Sequence, residues 1–332
     1  MNEFNFASLH GCMTDLHLHL DGSLSVKCVR KLAHEQNITV ADEDSELKKL
    51  LCAPDNCSSL NDYLRAFDFP LTLLQRDHAL SDAVFTLCSE LEAQGLAYAE
   101  IRFAPQLHTK LGLTQDEAVK AAIDGLRRSR FDANLILCCM RGSSDEANLQ
   151  TVHVAQNYLG SGVAAIDLAG AEALFPTLDY KNVFELAAGL DIPFTIHAGE
   201  AAGPDSVSDA VAFGASRIGH GIHITDSPEL MALLRDRGIC LEMCPTSNIQ
   251  THACDSFDSY PIKSFLDAGI CVTVNTDNMS VSDTTESDEL KCVYEKCGLT
   301  YDDIKQVLIN SAQSSFADEK IKKRIIGNIY RI

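Results

Sequence analysis

Val272-Thr273-Val274-Asn275-Thr276-Asp277-Asn278 is a short β-branched run that ends on a carboxylate and an amide. Met13-Thr14-Asp15-Leu16-His17-Leu18-His19 ends in the same manner on two imidazoles. Apolar runs of this length, bounded by polar groups, read as strands buried on both faces of a parallel sheet. The sequence predicts eight of them: Met13–Leu18, Leu96–Phe103, Ala133–Cys139, Val163–Leu168, Pro193–His197, Arg217–Ile218, Ile239–Met243 and Ile270–Asn275. Amphipathic stretches lie between them. Asp82–Gln94 is apolar at helical spacing. Thr114 precedes Gln115–Ser129 with Glu117 where a capping box requires it. Pro228–Arg237 and Ile262–Ala268 open at or just after a proline. Strands alternating with helices form either an open doubly wound sheet or a closed barrel. Polar motifs stand at the C-terminal ends of runs one, five, six and eight. In a barrel those ends share one mouth, whereas an open sheet sets runs one and eight far apart. We therefore expect an α/β fold, a (β/α)8 TIM barrel with a helical insertion after strand 1 and C-terminal helices.

The insertion is Asp21–Gln94, too long for one connecting helix. Helical patches at Lys27–Gln36, Asp44–Leu51 and Leu60–Leu74, with a turn signal at Ala53-Pro54-Asp55-Asn56, place it beside the mouth as a candidate lid. Tyr301–Ser314 and Ala317–Ile325 are expected to pack as helices outside the barrel. No linker or repeat divides the chain, so residues 1–332 are expected to form a single domain. Of its 332 residues, 46% are hydrophobic, enough for a large core, and the formal net charge is −20. A surface this acidic repels nucleic acid and anionic membranes, so neither is an expected partner. Residues 1–12 lack a basic start followed by an apolar core, and no run reaches membrane-span length. The 13 cysteines include no Cys-x-x-Cys pair. That spacing argues against a zinc finger and fits a reducing, cytoplasmic setting.

Residues two apart on a strand share a face, so His17 and His19 can grip one ion together. His197 ends strand five and Asp277 follows strand eight. Three imidazoles and a carboxylate suit Zn²⁺, with room for a water that the ion would make nucleophilic at neutral pH. Glu200 lies three residues past His197, across Gly199, and is a candidate proton donor. His220 is either a further ligand or a residue that acts on the water. Asn278 faces a ligand if Asp277 faces the metal. Cys244-Pro245-Thr246-Ser247-Asn248 reads as a polar turn.

The motifs together resemble one family. They are His17-Leu18-His19-Leu20-Asp21-Gly22-Ser23-Leu24, Glu100-Ile101-Arg102-Phe103-Ala104-Pro105-Gln106, Asp167-Leu168-Ala169-Gly170, His197-Ala198-Gly199-Glu200, Arg217-Ile218-Gly219-His220-Gly221 and Asn275-Thr276-Asp277. In this order they resemble the bacterial adenosine deaminases of the metal-dependent amidohydrolase superfamily, over nearly the whole chain. The resemblance implies one zinc per chain, held by His17, His19, His197 and Asp277. It implies Glu200 as the proton donor to purine N1 and His220 as the residue that steadies the attacking oxygen. His19, Asp21, Gly170 and Asn278 would contact the substrate: Asp21 the ribose 5′-hydroxyl, the Gly170 N–H purine N3, and Asn278 N7. Many members carry a second aspartate where this chain has Asn278. An amide can make the same donation without needing a raised pKa. The implied reaction is hydrolysis of adenosine, and of 2′-deoxyadenosine, to the inosine product and ammonia in purine salvage. The partner is then a small purine nucleoside, and oligomeric state stays open. The rival within the family is deamination of adenine or of an N6-modified adenine nucleoside or nucleotide. Asp21 favours a nucleoside, and no Arg or Lys cluster stands near its motif to receive a phosphate.

Overall fold

Of the two arrangements that strands buried on both faces allow, the structure has the closed one, a barrel wrapped by helices. The computed structural model describes residues 5–54, 57 and 63–332. The strands are β1 (Met13–His19), β2 (Leu96–Phe103), β3 (Ala133–Met140), β4 (Val163–Ala169), β5 (Thr195–Ala198), β6 (Arg217–His220), β7 (Cys240–Met243) and β8 (Val272–Val274). All pair parallel, in two runs ordered β1-β2-β3-β4 and β5-β6-β7-β8. Two isolated bridges join the runs. Ile166 meets Phe194, and Leu18 meets Asp277. At the second seam the His19 N–H donates to the Asp277 carbonyl at 2.7 Å, and the Asp277 N–H to the His17 carbonyl at 2.8 Å. The barrel thus closes through the backbone of the very residues expected to hold the metal.

β8 is shorter than its apolar run at both ends, although the Asn275 N–H still donates to the Met243 carbonyl of β7 at 2.9 Å. The Asn275 side-chain amide also accepts from the Leu16 N–H at 3.0 Å and donates to the Met243 carbonyl at 3.2 Å. The register of β1 against β2 shifts between Asp15 and Leu18, the interval that contains His17.

The insertion contributes α1 (Val26–Glu35), α2 (Asp44–Leu51) and α3 (Asp68–Leu73). Residues 60–62 of the third expected patch, and Asp55-Asn56 of the turn signal, lie outside the described residues. The wrapping helices then follow: α4 (Asp77–Ala93), α5 (Gln115–Arg128), α6 (Asp145–Tyr158), α7 (Lys181–Gly189), α8 (Pro204–Phe213), α9 (Pro228–Arg237), α10 (Pro245–Gln250) and α11 (Ile262–Asp267). The expected capping box at Thr114 and Glu117 starts α5. The tail supplies α12 (Glu286–Lys296), α13 (Tyr301–Ser314) and α14 (Glu319–Ile329). Among the described residues, no helix is long and apolar enough to cross a membrane.

Candidate active site

Three strand ends, those of β1, β5 and β8, bring the expected donors together. One ligand atom from each of His17, His19, His197 and Asp277 lies within 4.8 Å of the others. His19 Nε2 is 3.2 Å from His197 Nε2, and Asp277 Oδ1 is 3.5 Å from His17 Nε2 and 3.4 Å from His19 Nε2. His17 Nε2 is buried and has no hydrogen-bond partner. An orphaned imidazole nitrogen facing a carboxylate and two more imidazoles is unfavourable without a cation and apt with one. Burial lowers the pKa of His19 and His197, favouring the neutral form that binds metals. Burial pushes Asp277 up, but the adjacent His17 and the other nearby imidazoles hold it well below the ordinary carboxylate range. The residues fit a metal ion.

The opposite edges of the imidazoles are anchored by acids that motif reading did not assign. Glu242 Oε2 lies 2.8 Å from His17 Nδ1, and Asp167 Oδ2 lies 2.9 Å from His197 Nδ1. Each acceptor fixes the tautomer that leaves Nε2 free for an ion. Arg102 binds both acids, donating to Asp167 Oδ2 at 3.0 Å and to Glu242 Oε2 at 2.8 Å. Arg217 adds Glu242 Oε1 at 2.6 Å and pairs with Glu100. These five charged side chains are fully buried. Replacing Arg102 by Met leaves two buried carboxylates short of a partner. We expect a loss of about 3–5 kcal/mol in chemical denaturation. Metal affinity, read by competitive titration, should fall about 10- to 100-fold.

Glu200 stands on the loop after β5, where Gly199 has φ 71°. A side chain there would be strained, and its Cβ would meet Val207 at 2.7 Å. Burial, with Asp277 and Glu172 as negative neighbours, pushes the Glu200 carboxyl up to about 8. His220 Nε2 is 3.7 Å from Glu200 Oε2. The His220 Nδ1 position is settled by a chain of donors. The Tyr260 hydroxyl donates to Asn248 Oδ1 at 2.9 Å, which turns the Asn248 amide N–H onto His220 Nδ1 at 3.0 Å. Nε2 then carries the proton, so neutral His220 is a hydrogen-bond donor towards the site rather than a base. Ser247 donates to Asp277 Oδ2 at 2.6 Å. The segment expected as a polar turn is therefore the helix α10, and its Ser247 and Asn248 orient the site. His220 and Asp277 both have φ 61°, an uncommon conformation outside glycine that clusters at functional sites.

A second grouping of donor atoms, His17, His220, Cys244 and Asp277, shares two residues with the first. Burial pushes the Cys244 thiol far up, with Asp277 adding to it, so it is a poor ligand beside the imidazole set.

His19, His197, His220 and Asp277 floor a cavity of about 210 Å³. Asp21, Gly170, Glu200 and Asn278 reach into it, and Phe67, Leu71, Leu107 and Met140 give it an apolar wall. Phe67 and Leu71 come from the insertion, which therefore lines the mouth as expected. Asn278 packs so closely on Gly22 that a Cβ there would fall 1.9 Å from Asn278 Oδ1. Two further histidines stay outside this set. His108 is buried against the Leu74 carbonyl and His223 is exposed.

A parallel barrel with histidines from β1 and β5 and an aspartate after β8 at one mouth defines a metal-dependent amidohydrolase. The chain belongs to the adenosine deaminase family, whose model matches residues 13–332. An adenosine deaminase of Haemophilus ducreyi is 48% identical, with 95% of this chain and 94% of that protein covered. Among solved structures, an adenine deaminase from Arthrobacter aurescens superposes with a TM-score of 0.87 at 23% identity, covering 96% and 98% of the two chains. An amidohydrolase from Burkholderia ambifaria with bound Zn gives 0.86 at 21%, covering 97% and 91%.

Proposed function

We propose that this chain, as a single-domain cytoplasmic enzyme of purine salvage, hydrolyses adenosine to inosine and ammonia, with 2′-deoxyadenosine as a second substrate. The observation that carries the reading is the placement in one cavity of a buried carboxyl, Glu200, beside the His17, His19, His197 and Asp277 donor set; burial pushes that carboxyl up to about 8. Relatives of the chain that carry the name adenosine deaminase support it. Those four residues would hold Zn²⁺, the ion that three imidazoles and a carboxylate suit. Bound there, the ion lowers the pKa of water enough to supply a nucleophile near pH 7. Glu200 gives its proton to purine N1, which makes C6 electron-poor. The His220 Nε2–H steadies the negative charge on the oxygen that adds to C6. Asp277 accepts a hydrogen bond from that oxygen's proton. The C6–N bond then breaks, and the amino group leaves as ammonia after taking up a proton. The Gly170 N–H meets N3, the Asn278 amide meets N7, and Asp21 meets the ribose 5′-hydroxyl, with His19 close to the substrate.

The test is the ultraviolet change on deamination, followed for adenosine, 2′-deoxyadenosine, adenine, AMP and N6-methyl-AMP. We expect kcat/KM for the nucleosides to exceed that for adenine and both nucleotides by about 100-fold or more, because Asp21 loses its partner without the ribose hydroxyl. Adenine or a nucleotide turned over faster than adenosine would assign the site to the rival substrate.

A further inference from the structure

We propose that Glu172 is a positioning residue for the proton donor: its carboxylate, clasped by the loop after β5, sets where the Glu200 side chain stands. The proposal rests on the role given to Glu200 above. Glu172 lies three residues past the end of β4 and is 2% exposed. Its Oε1 accepts from the Gly199 N–H at 2.7 Å and from the Ser206 hydroxyl at 2.5 Å. Its Oε2 accepts from the N–H groups of Glu200 at 3.0 Å, Ala201 at 2.7 Å and Ala202 at 3.0 Å. Consecutive backbone N–H groups that converge in this way form an anion-binding nest. Here the anion is a side chain of the protein, and the nest is the loop that bears Glu200.

The Glu200 carboxyl takes no hydrogen bond from the described residues, and His220 Nε2 at 3.7 Å is beyond bonding distance. Its position is therefore inherited from its backbone, and Glu172 holds that backbone. The far end of the Glu172 loop is fixed as well. Arg141 donates to the carbonyls of Phe175 at 2.6 Å and His197 at 2.7 Å, and to Thr177 Oγ1 at 2.9 Å. The same loop begins with Gly170 in the cavity wall. One short segment thus ties the expected N3 contact to the expected N1 donor. Misplacing a reacting group by about 1 Å can cost about 100-fold in rate.

The experiment is a double-mutant cycle on the metal-loaded protein, using Glu172→Gln, Glu200→Gln and the pair. In Glu172→Gln an NH₂ group replaces one carboxylate oxygen, so at least two of the five donors lose their acceptor. We expect Glu172→Gln to lower kcat for adenosine about 10- to 100-fold, with KM within about threefold and metal content unchanged. On the Glu200→Gln background the further loss should be under about threefold, because the group being aimed no longer donates a proton. Equal losses on both backgrounds, a raised KM at unchanged kcat, or lost metal would each overturn the proposal. A near-normal rate for Glu200→Gln alone would instead remove the acid assignment, and the proposal with it. Should Glu172→Gln fail to fold, Ser206→Ala removes one donor to the same carboxylate. It should lower kcat about threefold in the parent and leave the Glu200→Gln rate unchanged. A kcat equal to that of the parent overturns the proposal.

Discussion

Removing the metal with a chelator is expected to cut adenosine deamination to below about 1% of the starting rate, and adding Zn²⁺ back to restore it. The donor geometry dictates the size of this effect. The orphaned His17 Nε2, the two neighbouring imidazoles and the Asp277 carboxylate converge at the mouth, and His220 as a donor and Glu200 as an acid cannot ionise a water in the ion's place. Mg²⁺ should not substitute, because it prefers six oxygen ligands to imidazole nitrogen. The metal-free protein should also unfold at a lower temperature. An ion present at about 1,000 times its dissociation constant stabilises the folded state by about 4 kcal/mol. Elemental analysis and the ultraviolet assay, run on the same samples, decide the matter. Full turnover with under about 0.05 metal per chain would end the metal-dependent account.

The barrel was legible in the sequence because strand and helix periods are local properties. The histidines and Asp277 were legible because each lies at the end of an apolar run, where a polar side chain needs a reason, and Glu200 because it follows His197 across Gly199. The groups that hold them were not, because their partners are remote. Glu242 is 225 residues from His17, and Arg102 is 65 from Asp167. A signal did exist. Glu100, Arg102, Asp167, Arg217 and Glu242 are charges inside strands read as buried on both faces, and a buried charge requires a partner. Five such charges in one closed sheet predict a paired network, although not which charge meets which. Glu172 gave no comparable sign, since an acidic residue in a loop ordinarily faces water. Ser247 and Asn248 were misread because small polar residues after a proline suit a turn and a first helical turn equally well. Closure also explains why the site is one unit. The β1–β8 seam is made by the backbone of His17, His19 and Asp277, so the fold cannot close without bringing three of the four candidate ligands together.

Glu200→Gln is the substitution that separates chemistry from assembly. At neutral pH the buried carboxyl already carries its proton, with the group pushed up to about 8, so glutamine replaces it with nearly the same shape and charge. Folding and metal content should therefore match the parent protein. What glutamine cannot do is release a proton to N1. The amide can still donate a hydrogen bond there, so substrate binding survives and the loss falls on kcat. General acid catalysis is worth about 10²- to 10⁴-fold, and we expect kcat to drop within that range while KM changes little. The pH profile supplies an independent check. As pH rises through about 8 the Glu200 carboxyl loses its proton, so kcat of the parent should fall on the alkaline side. The residual rate of Glu200→Gln should lack that limb, because no proton is left there to lose. A variant that kept the alkaline limb, or turned over adenosine at a near-parental rate, would show that the proton reaches the purine by another route.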